Sequence, residues 1–301
     1  METVSWGGWP HCLRLSDGAV ELIVTTDVGP RIVHFGFQGG PNELREFPEQ
    51  QGLTGGDEWH VFGGHRLWHA PEQKPRSYQP DNDSVEHETR ENGVRLLQPV
   101  EAVTGIQKSL EIEFAGEAHL RLTHRLTNRG AWPVRLAPWA LTVMAPGGTV
   151  VIPQPPYASP ENLLPNRSVV LWPYTRPGDP RLLWGQRYLR VRPDAAREEA
   201  TKLGTQSTEG WCAYVNGDRL FLKCVRHFPD AEYPDLNCGL ECYTAGDFLE
   251  LETLGPLQTL QPGESAEHVE QWLLFRGASA ETEEQVDESV LPLVKGALAR
   301  L

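Results

Sequence analysis

The sequence predicts an all-β protein, a large antiparallel sandwich or barrel with one short C-terminal helix. Three observations lead there. More than a dozen short β-rich stretches are separated by turn residues, with no alternation of strand and helix. The chain holds 29 Gly and 25 Pro among 301 residues, and in a helix interior each Pro costs about 3 kcal/mol and each Gly about 1. Helical periodicity is confined to the tail, Ala280 to Leu301. There Val286, Val290, Leu291, Val294 and Leu298 recur at helical spacing, with acids early and Lys295 and Arg300 late, as the helix dipole favours.

Along the chain, Ala19 to Val24 and Gly29 to Phe35 read as two strands split by turn chemistry. Val94 to Val103 and Leu110 to Phe114 follow. From His119 to Thr127 the alternation is strict: Leu120, Leu122, His124 and Leu126 share one face, and Arg121, Thr123, Arg125 and Thr127 the other. Asn128-Arg129-Gly130 turns the chain, and Pro133 to Val143 returns as the second arm of a hairpin. Later strands are expected at Tyr188–Val191, Trp211–Tyr214, Leu220–Val225, Leu240–Tyr243, Phe248–Thr253 and His268–Phe275, with Asn216-Gly217-Asp218 as a hairpin turn. No repeat or linker divides the chain, which reads as one domain over 1–301, with its core at about 15–276 and the helical tail at 280–301. Ile152 to Pro180 carries eight prolines interleaved with aromatic, Asn and Arg residues. It reads as a long functional or oligomer-contact loop, so a homo-oligomer is one expectation.

A net charge of −14, with no block of Lys and Arg, argues against nucleic acid and anionic membranes as partners. No apolar run approaches the roughly 20 residues that span a bilayer, and no signal peptide is visible at the N-terminus. The five cysteines, Cys12, Cys212, Cys224, Cys238 and Cys242, are odd in number and sparse, which favours reduced thiols and a cytoplasmic location. Cys238 and Cys242 have zinc-like spacing without a second pair beside them, and buried thiols are the plainer alternative.

The densest polar and aromatic cluster runs from Trp59 to Glu72. Its Gly63-Gly64 pair lets backbone approach a ligand, while Arg66, His65 and His69 supply donors and Trp68 a flat apolar face. Sugars present both CH faces and hydroxyls, so the mixture suits them. A core strand whose His and Arg satisfy backbone carbonyls is the alternative. His65 and His69 also share a face, which leaves a metal open, although the glycine pair and Pro71 oppose the helix such spacing usually needs. The second cluster is Tyr233 to Tyr243, followed by Phe248 to Pro256. In Leu249-Glu250-Leu251-Glu252-Thr253 both glutamates point away from the leucines, as a general base or as a solvated strand face. Ten tryptophans, with Trp139, Trp172, Trp184 and Trp272 beside polar or Pro-rich segments, suit stacking on sugars and core filling alike. Nucleophile-elbow, phosphate-loop and dinucleotide-binding motifs are absent.

Gly29-Pro30-Arg31-Ile32, the Gly63 to Glu72 block, and Leu251-Glu252-Thr253 ahead of Pro262-Gly263-Glu264 resemble the galactose mutarotase-like (aldose 1-epimerase-like) superfamily. More narrowly they resemble the DUF4380-type bacterial family. The resemblance covers about residues 15 to 276. It implies an antiparallel β-supersandwich with a sugar-binding cleft on its concave face, and no cofactor or metal. It places the general base at Glu252. Trp139 falls where the family's acid His is expected, and an indole cannot serve as that acid. His65, His69 or His124 would then substitute, His65 first.

The expected function is carbohydrate binding, extending to epimerisation of a free or modified sugar with Glu252 and His65 as catalytic residues. The expected sugar contacts are Arg31, Arg66, Trp68, His69, His124, Trp139, Asp235, Asn237 and Glu241. A non-catalytic binding or sensing module is the alternative, and an oligosaccharide lyase or hydrolase a further one.

Overall fold

A computed structural model describes residues 1–301. Alternating apolar residues give two large antiparallel sheets packed face to face, which settles the sandwich against the barrel. The first sheet runs Glu2–Trp6, Trp9–Ser16, Val20–Thr25, Arg31–Phe37, His65–Ala70, Val134–Val143, Phe248–Leu254, Leu240–Ala245, Thr201–Thr205 and Val169–Leu171. Gln258–Leu260 pairs beside the strand Val134–Val143. The second runs Leu182–Trp184, Tyr188–Val191, Thr149–Pro153, Trp211–Asn216, Arg219–Val225, Ser265–Arg276, His119–Asn128, Ile106–Gly116, Gly93–Leu97 and Glu86–Arg90.

The main core fills the space between the sheets. Leu22, Phe35, Leu249 and Leu251 of the first sheet meet Leu120, Leu122, Phe221 and Trp272 of the second. Trp272 packs edge-on to Phe221 at 4.9 Å and leans on Phe35 at 5.5 Å between ring centroids. The strict alternation of His119–Asn128 is realised as read: Leu120, Leu122, His124 and Leu126 are buried against the first sheet.

The tail folds as Glu283–Gln285, a π-helical turn Val286–Val290 and Leu291–Leu298. Thr282 and Gln285 close a capping box at its start. Val286, Val290, Val294 and Ala297 cover the outer face of the second sheet, over Trp211, Ala213 and Leu222. Leu298 is turned toward solvent instead. With that face covered, the outer face of the first sheet is where a cleft opens.

Several elements differ from expectation. Asn128-Arg129-Gly130 does not close a hairpin. The chain crosses there from His119–Asn128 in the second sheet to Val134–Val143 in the first, because each of those strands is already paired on both sides. The first two strands were not legible, because Gly7-Gly8 and Pro10 mask a hairpin that continues the first sheet. Val94 to Val103 stops at Leu97, since residues 98–105 form a turn in which the Gly105 amide donates to the Glu101 carbonyl. Ile152 to Pro180 is not one loop. It holds the end of Thr149–Pro153 and the edge strand Val169–Leu171, which pairs with Thr201–Thr205.

Candidate functional site

The strands His65–Ala70, Val134–Val143, Phe248–Leu254, Leu240–Ala245 and Thr201–Thr205 lie side by side at the centre of the first sheet. Their register aligns Trp68 with Trp139, Arg66 with Leu141, Leu141 with Glu252, and Glu252 with Glu241. Side chains two apart share a face, so Arg66, Trp68, Trp139, Glu250, Glu252, Glu241, Tyr243 and Lys202 project together, away from the inter-sheet core. All but Glu241, which opens on a neighbouring space, floor a cleft of about 600 Å³. Nine aromatic rings line it: Phe47, Trp59, Trp68, Tyr78, Trp139, Trp172, Tyr174, Tyr243 and Phe248. Trp68 is edge-on to Trp59, Tyr78 and Trp139, with centroids 4.9 to 5.5 Å apart.

Two charged groups hold the floor. The Arg66 guanidinium lies over the Trp68 ring at 4.9 Å, and its Nη2 donates to Glu250 Oε1 at 2.9 Å. The Lys202 ammonium sits between the Trp139 and Trp172 rings, 4.7 Å from each centroid. It lies 2.9 Å from Glu252 Oε2 and 2.6 Å from Glu241 Oε2. Trp139 Nε1 also donates to Glu252 Oε2, at 2.7 Å. One oxygen of Glu252 is thus fixed twice, while Oε1 has no partner. Glu241 Oε1, Trp59 Nε1, and Arg66 Nε and Nη1 are buried without partners as well. A folded protein leaves few such groups, because each costs about 1–3 kcal/mol.

Titration follows from this packing. Burial would pull the Lys202 ammonium down, but Glu252 and Glu241 hold it well above its ordinary value. Burial, with Glu252 and Asp235 nearby, pushes the Glu241 carboxyl well up against the pull of Lys202. Burial also raises Glu250, which Arg66 offsets in part, and Asp235. The floor therefore joins a permanently charged ammonium to carboxyls that retain protons unusually well.

Asp235 and Glu241 line a smaller chamber of about 310 Å³, separated from the cleft by Lys202 and its two tryptophans. Asp235 is carried by a turn in which Asp235, Leu236 and Asn237 all have positive φ, of 50°, 59° and 77°. Such backbone costs of order 1–3 kcal/mol per non-glycine residue and collects at functional sites. Asn237 serves the turn itself, its Oδ1 accepting from the Tyr233 amide. Arg31 lies behind the cleft. It is fully buried, ion-paired to Asp81 at 2.9 Å, and donates to the Val61 carbonyl at 2.8 Å, so it holds up the wall that carries Trp59 and Val61.

The three histidines expected in the cleft lie on the opposite face of the sheet. Within His65–Ala70, alternation sends Arg66 and Trp68 into the cleft and His65 and His69 into the inter-sheet space. His69 faces Glu101, 3.7 Å away, which Lys108 neutralises at 2.6 Å. His65 Nε2 meets His124 Nε2 at 2.7 Å. His124 Nδ1 lies 3.0 Å from the His268 carbonyl and must donate to it, so His124 Nε2 accepts from His65. His65 Nδ1 then accepts from the Thr142 hydroxyl, 2.8 Å away. His268 Nε2 and the Thr253 hydroxyl are 2.7 Å apart, and Thr253 donates onward to Glu270. Glu270 also receives Lys223 at 2.9 Å and Trp272 Nε1 at 2.7 Å. Burial holds all three imidazoles neutral, His268 down to about 3. Glu270 is held below its usual range against the effect of burial, by Lys223 above all.

His65, His124 and Glu270 present ligand atoms within 4.8 Å of one another, close enough for a metal. Their hydrogen bonds are already complete, and the Lys223 ammonium holds the same carboxylate. That donor set does not fit a divalent ion. Cys238 and Cys242 are buried free thiols. No helix is long and apolar enough to cross a membrane.

The structure thus brings Glu252, Arg66, Trp68 and Trp139 around the cleft and Asp235 and Glu241 around the adjoining chamber, and divides His65, His69 and His124 from both. Lys202, Tyr78 and Tyr174 were not foreseen as site residues, and Trp172 only as one of several tryptophans suited to sugar stacking or core filling alike. Lys202 stands in an unremarkable strand, Thr201-Lys202-Leu203-Gly204-Thr205, that gives no sequence signal. Trp172 and Tyr174 come from the Pro-rich segment, whose aromatic content was the available hint.

No family model matches the chain, and no curated protein does, so neither comparison supports the narrower DUF4380 resemblance. Solved structures do match. A galactose mutarotase-like protein from Lactobacillus casei aligns with a TM-score of 0.61 at 10% identity, over 88% of this chain and 100% of that one. A candidate aldose 1-epimerase from Klebsiella pneumoniae aligns at 0.61 and 13% identity, over 98% and 86%. A galactose mutarotase-like protein from Clostridium acetobutylicum aligns at 0.53 and 11% identity, over 88% and 95%. At such identities the likeness is one of architecture: the chain has the galactose mutarotase-like, aldose 1-epimerase-like fold.

Proposed function

We propose that the protein binds a sugar in the aromatic cleft, with Glu252 accepting a hydroxyl through Oε1. The observation that carries this is the state of Glu252. Trp139 and Lys202 fix one oxygen, the other lacks a donor, and the group faces a space lined by nine aromatic rings. Rings stack on the CH faces of a pyranose while a few fixed polar groups orient its hydroxyls. Arg66 and Trp59 bring the unmatched donors that sugar oxygens would accept from. The mutarotase-like neighbours support the same ligand class, and five buried free cysteines support a reducing, cytoplasmic setting.

Anomer interconversion is the second reading, favoured by the Glu241 carboxyl, which burial and its acidic neighbours push up, across Lys202 from Glu252. Glu252 Oε1 would take the anomeric hydroxyl proton as the C1–O5 bond breaks and the carbonyl forms. The ring oxygen would take a proton from Glu241, directly or through Lys202, and reclosure on the other face would restore both groups. His65, the acid first expected, lies across the sheet from Glu252 and has no part in this scheme.

The test is a titration of tryptophan fluorescence with aldohexoses and their oligosaccharides, with anomer exchange followed by NMR. Saturable quenching that weakens about tenfold or more in Glu252→Gln is expected. A flat response to the whole panel overturns sugar binding. Binding without exchange faster than in buffer leaves a binding module and removes the epimerase reading.

A further inference from the structure

The smaller chamber beside the cleft differs from it in chemistry. The two share Glu72, Tyr78, Trp139, Trp172 and Lys202, but the cleft pairs Glu250 with Arg66 under nine rings, whereas the chamber adds Asp235 and Glu241 and no arginine. Two cations reach it, one fewer than its acids. Lys202 is shared with Glu252, and the Lys74 ammonium lies over the Tyr78 ring, 5.0 Å from its centroid. Glu72 accepts the Tyr78 hydroxyl. Glu241 is fully buried at the chamber wall, and its Oε1 has no partner. The chamber and the cleft adjoin at Lys202, whose ammonium touches Glu241 on one side and Glu252 on the other. Groups bound to those two carboxyls would therefore lie on either side of one ammonium.

A group entering this chamber has to supply donors and positive charge. An ammonium has three donors and no acceptor, which suits a set of carboxylate oxygens. A hydroxyl brings one donor and sets its lone pairs against the acids, and a carboxylate or phosphate is repelled. Like-charged carboxyls gathered away from water also retain protons, as Asp235 and Glu241 do, and a bound cation relieves that repulsion.

We propose that the ligand is an amino sugar, its ring in the aromatic cleft and its primary ammonium group in the acidic chamber between Glu241 and Asp235. This rests on the sugar reading above and narrows it to one chemical class. The left-handed turn at Asp235 to Asn237 is then the device that directs Asp235 at the ammonium.

The experiment compares glucosamine and galactosamine with glucose, galactose and the two N-acetylated amino sugars, by tryptophan fluorescence at neutral pH. The free amino sugars are expected to bind about tenfold more tightly than the parent hexoses, the worth of one charge-assisted hydrogen bond. N-acetylation is expected to abolish the gain. In Asp235→Asn the ratio should shrink toward one, and asparagine tolerates the left-handed backbone there. Equal affinities for amino and parent sugars in the unmodified protein overturn the proposal. So does a gain that survives N-acetylation, or one that survives both Asp235→Asn and Glu241→Gln. If no sugar binds at all, a titration with ethylammonium separates the two claims. Saturable binding that Asp235→Asn weakens keeps the cation chamber while the sugar reading falls, and no binding removes both.

Discussion

The two faces of the strand His65–Ala70 carry two buried polar clusters of opposite kinds. On the inter-sheet face, Lys223, Glu270, His65, His124, His268, Thr253, Thr142 and Trp272 form a network none of whose buried polar atoms lacks a partner. His69, farther along the same face, leaves both ring nitrogens unpaired beside Glu101. On the cleft face, Lys202, Glu252, Glu241, Arg66 and Glu250 also pair, yet five polar atoms of this face are left over: Glu252 Oε1, Glu241 Oε1, Arg66 Nε and Nη1, and Trp59 Nε1. Both clusters bury a Lys–Glu pair, so burial and charge do not tell them apart. Completeness does: a satisfied network specifies packing, and an unsatisfied one lining a cavity is built toward something else.

The sharpest test of that contrast removes each lysine. Lys223→Met leaves Glu270 charged in a dry core and is expected to cost about 3–5 kcal/mol in urea unfolding. Lys202→Met should cost roughly half of that or less, since burial already raises the Glu241 carboxyl and Trp139 still donates to Glu252. Equal losses would erase the distinction.

pH gives a second separation, because the two clusters carry opposite signs. The three inter-sheet imidazoles have folded values below the unfolded 6.5, His268 near 3. Their stabilising share is complete above about pH 6.5 and is lost as pH falls toward 3, at about 1.4 kcal/mol per pH unit for each histidine that stays neutral. Glu241, Glu250 and Asp235 have raised values, so their share is present below the unfolded carboxylate values and is lost as pH rises through the raised ones. Denaturant unfolding across this range should show a steep acid limb that His268→Gln flattens. An unchanged limb in that variant would assign acid lability elsewhere.

The smallest effect is expected at the cleft wall. Trp172 is half-buried on the Pro-rich segment, so Trp172→Ala should change stability by less than about 1 kcal/mol. Sugar affinity should fall about five- to tenfold with the lost stacking face and the loosened Lys202. A large stability loss with unchanged affinity would move Trp172 from the site to the scaffold.

Much of the architecture was legible from local pattern. Period-two alternation gave the strand His119–Asn128 and its buried face, the Asn216-Gly217-Asp218 turn gave one hairpin, and the tail's 3.6-residue recurrence gave the helix, whereas the turn at Asn128 to Gly130 led across to the other sheet. The same alternation placed Glu250 and Glu252 together, opposite Leu249 and Leu251. In the strand His65–Ala70 all six residues are buried, and the expected site took His65, His69, Arg66 and Trp68 together, although alternation puts the two pairs on opposite faces. The packed sheets gave the histidines to the core and left Arg66 and Trp68 in the cleft.

The sequence by itself determined which side chains travel together along each strand, because the pleat fixes that within a few residues. Only the tertiary structure decided which face looks into the cleft and that Lys202, Glu241 and Glu252 share one ammonium. Those contacts join residues up to fifty positions apart through strand register, which the whole sheet sets and no single strand carries.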